Sequence, residues 1–123
     1  MDDSQRVLVV DAANVVGSVP DGWWRDRAGA AARVYAGLAA VTASYDRVVF
    51  VLEGKARAGV PEGTQGSITT VHAAGEGDDE IVAQCRSLAE GDVQITLATA
   101  DRGLIARVAS VGVRIVGPRS VRS

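Results

Sequence analysis

The stretch Arg6–Gly17, RVLVVDAANVVG, constrains this chain more than any other. Val7–Val10 is an unbroken aliphatic run, too short for a helix and lacking the polar alternation of a half-buried strand. Such a run suits a central strand covered on both faces, as strands in parallel sheets are. Asp11 stands where that strand should end, and Asn14 follows in the loop entry. In open α/β sheets ligands collect beyond the carboxyl ends of the strands, so Asp11 occupies a position for chemistry. The question is then whether other acids reach the same edge.

The spacing that follows predicts strands alternating with helices. Val15–Asp21 reads as a loop, broken by Gly17, Ser18 and Pro20. A helix should begin near Trp23 or Trp24, with Trp24, Ala28, Ala31, Val34, Leu38 and Val41 on its inner stripe. The run VVFVLE is a second buried strand ending on Glu53. Gly54–Gly66, Gly-rich and polar, is expected to be a loop or mobile flap. Ile68–His72 makes a third strand at a sheet edge, and Ala73–Glu80 (AAGEGDDE) opens a helix striped by Ile81, Val82, Cys85 and Leu88. Val93–Ala98 is a fourth strand that delivers Asp101 at its exit. A short helix then carries Leu104, Ile105, Val108 and Val111, Val113–Val116 forms a fifth strand, and GPRSVRS is a tail. Alternation of this kind calls for a mostly parallel α/β sheet with helices on both faces. At 123 residues the chain, 1–123, is expected to form one domain.

On that topology Asp11, Glu53 and Asp101 leave strands at one sheet edge, and Glu76, Asp78 and Asp79 open a helix there. Each acid has a structural reading. Asp11 and Asp101 can cap turns or helices, and acids in a first helical turn suit the macrodipole. Together they point further, because crowded carboxylates repel one another and are best tolerated around a hard divalent cation such as Mg²⁺ or Mn²⁺. Such a centre activates water and stabilises in-line phosphoryl displacement, so the expected chemistry is metal-dependent phosphodiester hydrolysis.

Taken in order and spacing, VVDAANVVG, VVFVLE, GEGDDEI and ATADRGL resemble the NYN domains of the PIN-like nuclease superfamily, and most of all its YacP-like branch. The resemblance covers nearly the whole chain. It implies a PIN-like Rossmannoid three-layer sandwich with a five-stranded sheet of order 3-2-1-4-5, and Mg²⁺- or Mn²⁺-dependent endoribonuclease activity. By position, Asp11 and Asp101 match the central metal-binding aspartates. Asp79 matches the acid of G-E-x-x-D with Glu76 its partner, and Asn14 matches the residue that orients the first aspartate or the substrate. Two positions depart from the pattern. Glu53 stands where the family has an aspartate after strand two, a longer arm at a metal position. Gly103 stands where many relatives outside the branch carry a second acid.

Around this edge Lys55, Arg57 and Arg102 are placed to hold phosphates. Trp23 and Trp24 lie just beyond the Asp11 loop. One is expected to pack under the first helix and the other to stack on a nucleobase, with Trp23 assigned to substrate. The sole histidine, His72, leaves little for histidine acid–base chemistry, and the lone Cys85 reads as core and offers no zinc spacing. A net charge of −2 argues against strong non-specific nucleic-acid binding but not against an acidic centre offset by metal. No stretch approaches the roughly 18 apolar residues of a membrane span, and the chain is expected to be cytoplasmic. RNA is the expected partner. A fifth strand with no helix after it suggests a second copy of the chain on that edge, a homodimer. Two other readings keep the fold: a weak or inactive RNA- or protein-binding module whose acids are remnants, and a phosphohydrolase acting on a small substrate.

Overall fold

In the computed structural model, which describes residues 4–122, a six-stranded sheet lies between two layers of helix. The elements run β1 (Gln5–Asp11), α1 (Ala12–Gly17), α2 (Arg27–Val41), β2 (Arg47–Leu52), β3 (Gly63–Gln65), β4 (Ile68–His72), α3 (Gly77–Leu88), β5 (Val93–Ala98), α4 (Arg102–Val108) and β6 (Arg114–Val116). Short 3₁₀ turns cover Trp23–Arg25, Gly54–Gly59 and Pro118–Val121. The order across the sheet is β3-β4-β2-β1-β5-β6. Its five parallel strands stand in the order that the family resemblance implies. The correction is a sixth strand, β3, which pairs antiparallel with β4 and takes the edge position assigned to Ile68–His72.

β1 is central, flanked by β2 and β5, and Val7–Val10 are completely buried. Alternate residues of a strand face opposite sides, and the two faces here build two cores. Leu8, Val10, Val48, Phe50 and Leu52 pack under α1 and α2 with Ala31, Val34 and Leu38. Val7, Val9, Val49, Val51 and Leu97 pack under α3 and α4 with Ile81, Val82, Cys85, Leu104 and Val108. Covering on both sides is why these strands are apolar without alternation.

Other local differences have physical causes. The Val15–Asp21 stretch begins helically because Asp11 caps α1, Asn14 N–H donating to Asp11 Oδ1 at 3.4 Å. The helix after the tryptophans starts later than expected, at Arg27, where the Asp26 carboxylate accepts from Gly29 N–H at 2.9 Å. Gly54–Gly66 is no free flap. Its first half is a 3₁₀ turn laid against α2, so close that a Cβ on Gly59 would meet the Ala28 carbonyl, and its second half enters the sheet as β3. The residues after β6 fold back onto the first core through buried Val121. There Arg122 Nη1 donates to Val15 O at 3.0 Å and Arg119 Nη2 to Ser18 O at 3.0 Å. The structure lends no support to a second subunit on that edge. No helix among the described residues is long and apolar enough to cross a membrane.

Candidate active site

Asp11, Glu53 and Thr99 end or follow three neighbouring parallel strands, β1, β2 and β5. The chain places β2 on one side of β1 and β5 on the other, so the order reverses between β1 and β5, the position where α/β sheets open a crevice. A buried side-chain hydrogen bond spans that switch point: Thr99 Oγ1 donates to Asp11 Oδ2 at 2.8 Å. Both residues are buried. Burial raises the Asp11 carboxyl above its ordinary 3.8, and the charges of Asp78 and Asp101 add to the rise. The Thr99 hydroxyl and the Asn14 amide pull the other way. Sequence reading gave Thr99 no role. Its signal was its place, the first residue past β5 and directly before the Asp101 turn.

Asp101 is the N-cap of α4. Its Oδ1 accepts from Gly103 N–H at 2.9 Å and Leu104 N–H at 3.2 Å. The capping reading is therefore correct, and it leaves Oδ2 with no described donor. Gly103 serves this cap: its N–H reaches Asp101 and its ideal Cβ would lie 3.3 Å from Oδ1. Asn14 ties the two strand exits together, its Oδ1 accepting from Ala100 N–H at 2.8 Å. It orients the loop that carries Asp101 as well as the first aspartate.

The acids of α3 divide. Asp78 is half-buried, and its carboxyl is raised by desolvation first and then by Asp101, Glu53 and Glu76. Asp79 is exposed and pairs with Arg107 at 3.0 Å. The acid of α3 that shares the field of Asp11 and Asp101 is thus Asp78, the neighbour of the position singled out by resemblance. The helical stripe itself carried that information. Asp78 precedes Ile81 by three residues and Val82 by four, which puts it on the inward side, and Asp79 lies about 100° further round. Glu76 is exposed at the start of α3 and makes no side-chain cap.

Glu53 reaches across to α3, where its Oε2 accepts from Gly77 N–H at 2.8 Å. Gly77 leaves little room, since an ideal Cβ would stand 3.2 Å from the Glu53 carboxyl. The longer arm thus braces the helix that presents Asp78. Of the candidate phosphate contacts, Arg57 is occupied as a brace, its Nε donating to Gly54 O at 3.0 Å and its Nη1 to Ala73 O at 3.4 Å. Lys55 and Arg102 are exposed cations outside any described ion pair. Trp23 is partly buried against the first core and lines a cleft of about 340 Å³ with Ala12, Leu52, Glu53, Lys55 and Arg27. Trp24 is the exposed one, at 51%.

No three acids, histidines or cysteines among the described residues form a group close enough to hold a metal ion. Mg²⁺ seldom asks for such a cage. It keeps several waters and takes one or two carboxylates, so buried Asp11, with the charges of Asp78 and Asp101 acting on it, fits a largely hydrated cation.

The same architecture occurs in a crystal structure of a mutant of Rae1 (YacP) from Bacillus subtilis, with a TM-score of 0.67. The fold is YacP-like. The match spans 94% of this chain and 72% of that one at 19% identity, so it speaks for the fold alone. No protein-family model and no curated protein matches the sequence.

Proposed function

We propose that this protein is a metal-dependent endoribonuclease hydrolysing RNA phosphodiester bonds at the edge where β1 and β5 end. The observation that carries this reading is the placement of buried Asp11 at the switch point of a YacP-like sheet, its carboxyl raised by burial first and then by the charges of Asp78 and Asp101. Holding Asp11 buried in the field of Asp78 and Asp101 has an electrostatic cost that a bound dication would offset. Asp11 and Asp101 would hold a largely hydrated Mg²⁺ or Mn²⁺, Asp101 through the oxygen its cap does not use, and Asp78 would meet the ion through its waters. Bound at these acids, the ion supplies water activation and neutralises charge at the scissile phosphate.

The chain's own residues do the rest. Thr99 fixes the rotamer of Asp11 through Oδ2, and Asn14 holds the Asp101 loop against α1. Glu53 sets the height of α3 and so the position of Asp78. Lys55 and Arg102 flank the acids and attract the phosphate backbone, which offsets the repulsion an acidic edge would offer RNA.

The test is cleavage of a labelled, structured RNA with Mn²⁺, Mg²⁺ or EDTA, beside Asp78→Asn and Asp101→Asn. Asparagine still caps a helix well, so Asp101→Asn keeps α4 while removing a charge. Cutting that needs the metal and disappears in both variants is the expected result. Cutting that persists in EDTA or in both variants refutes the reading. RNA retained without any cutting would favour the binding-module alternative.

A further inference from the structure

The cleft beside the acids has a composition that the hydrolytic reading does not use. Its floor is apolar, from Ala12 and Leu52, and Trp23 forms a wall. At about 340 Å³ it lies within the range of small-ligand sites, which begins near 300 Å³. Ala12 follows Asp11 directly, so the cleft adjoins the site of proposed cleavage.

Trp23 is held in place rather than free. The Arg27 guanidinium lies 5.3 Å over its ring, and Trp24 meets it edge-on with centroids 5.8 Å apart. An indole immobilised before binding loses little entropy when a flat ligand stacks on it. Arg27 and Lys55 also line the cleft, and neither is in an ion pair among the described residues. Glu53 adds an acceptor. Its Oε2 takes the Gly77 N–H, and no described group donates to Oε1. A flat apolar body, a negative charge and a hydrogen-bond donor on one edge are what these groups ask of a ligand together.

We propose that this cleft takes one unpaired nucleobase of the RNA strand, beside the scissile phosphate. The base stacks on Trp23, its phosphate meets Arg27 and Lys55, and an exocyclic amino group donates to Glu53. The proposal rests on the ribonuclease reading for its place beside the cut. It makes Glu53 a specificity residue, favouring an exocyclic amino group over the carbonyl oxygen that uracil carries where cytosine has its amine, because an acceptor site disfavours an acceptor at that position.

The experiment reads binding without cleavage. In a Trp24→Phe background Trp23 is the only tryptophan, and its fluorescence is titrated in EDTA with CMP, UMP and ribose 5-phosphate. CMP should quench saturably, UMP roughly tenfold more weakly, the loss of about one hydrogen bond, and ribose 5-phosphate not at all. Glu53→Gln, whose amide still accepts from Gly77 N–H but also donates, should reverse the order of CMP and UMP. Quenching by ribose 5-phosphate equal to that by CMP would mean a bare phosphate site and would overturn the proposal. So would equal affinity for CMP and UMP, or no saturable quenching by either. If RNA is cut and CMP leaves Trp23 unaffected, the cleft proposal fails and the nuclease stands. If CMP binds as described and no RNA is cut, the reverse holds.

Discussion

Thr99→Val tests the hydrogen bond on which the site is hung. The substitution keeps β-branching and nearly the same shape, and replaces the hydroxyl that donates to Asp11 Oδ2 at 2.8 Å. It also removes the acceptor of Asp101 N–H at 3.1 Å, which is partly buried and which water can replace in part. A hydrogen bond to a charged group is worth about 1.5–3 kcal/mol, and a buried acceptor left unmade incurs its desolvation penalty in full. Both partners are buried, so the upper part of that range applies, and for a chain of this size the melting temperature should fall by roughly 8–12 °C. The loss depends on pH with a definite sign. The Asp11 carboxyl is already raised above 3.8 in the fold, so the native state binds more protons than the unfolded chain and its contribution declines as pH rises through the folded value. Removing a group that lowers that value raises it further. The stability gap between parent and variant should therefore widen from pH 4 to pH 7, as measured by urea unfolding at both. A gap under about 0.5 kcal/mol at pH 7, or one equal at both pH values, would refute the account.

Asp78→Asn should leave the melting temperature unchanged or higher in the absence of metal, because it relieves repulsion from Asp101 and Glu53, and should still abolish metal-dependent cutting. Millimolar Mn²⁺ should raise the parent's melting temperature by mass action, about 1.4 kcal/mol at tenfold excess over the dissociation constant, and should not do so in Asp101→Asn. Gly59→Ala should destabilise by about 1–3 kcal/mol, since its Cβ meets the backbone carbonyl of Ala28 rather than a movable side chain, with denaturant unfolding as the measure. Arg107→Ala breaks the solvent-exposed pair with Asp79 and should cost under about 1 kcal/mol while leaving RNA cleavage intact.

The sequence by itself determined the covered centre of the sheet. Val7–Val10 and Val48–Leu52 are apolar at every residue, and only a strand covered on both faces makes use of that, so two helical layers and a carboxyl-terminal edge followed from the pattern alone. Asp11, Asp101 and the acids opening α3 were legible for the same reason, since each stands where a periodic segment begins or ends. Tertiary structure decided what those acids do to one another. The stripe of Ile81, Val82 and Cys85 already turned Asp78 inward, but that it meets the charges of Asp101 and Glu53 depended on α3 docking across the sheet, with the Glu53 arm holding Gly77. The Gly54–Gly66 segment read as a flap because glycine and polar residues mark loops, yet pairing with β4 and contact with Ala28 give it a fixed place that no local signal contains. Thr99 meets its partner 88 positions away. A hydrogen bond across such a separation exists only once β1 and β5 lie side by side, and for that reason the residue that steadies Asp11 became visible in the fold and not in the chain.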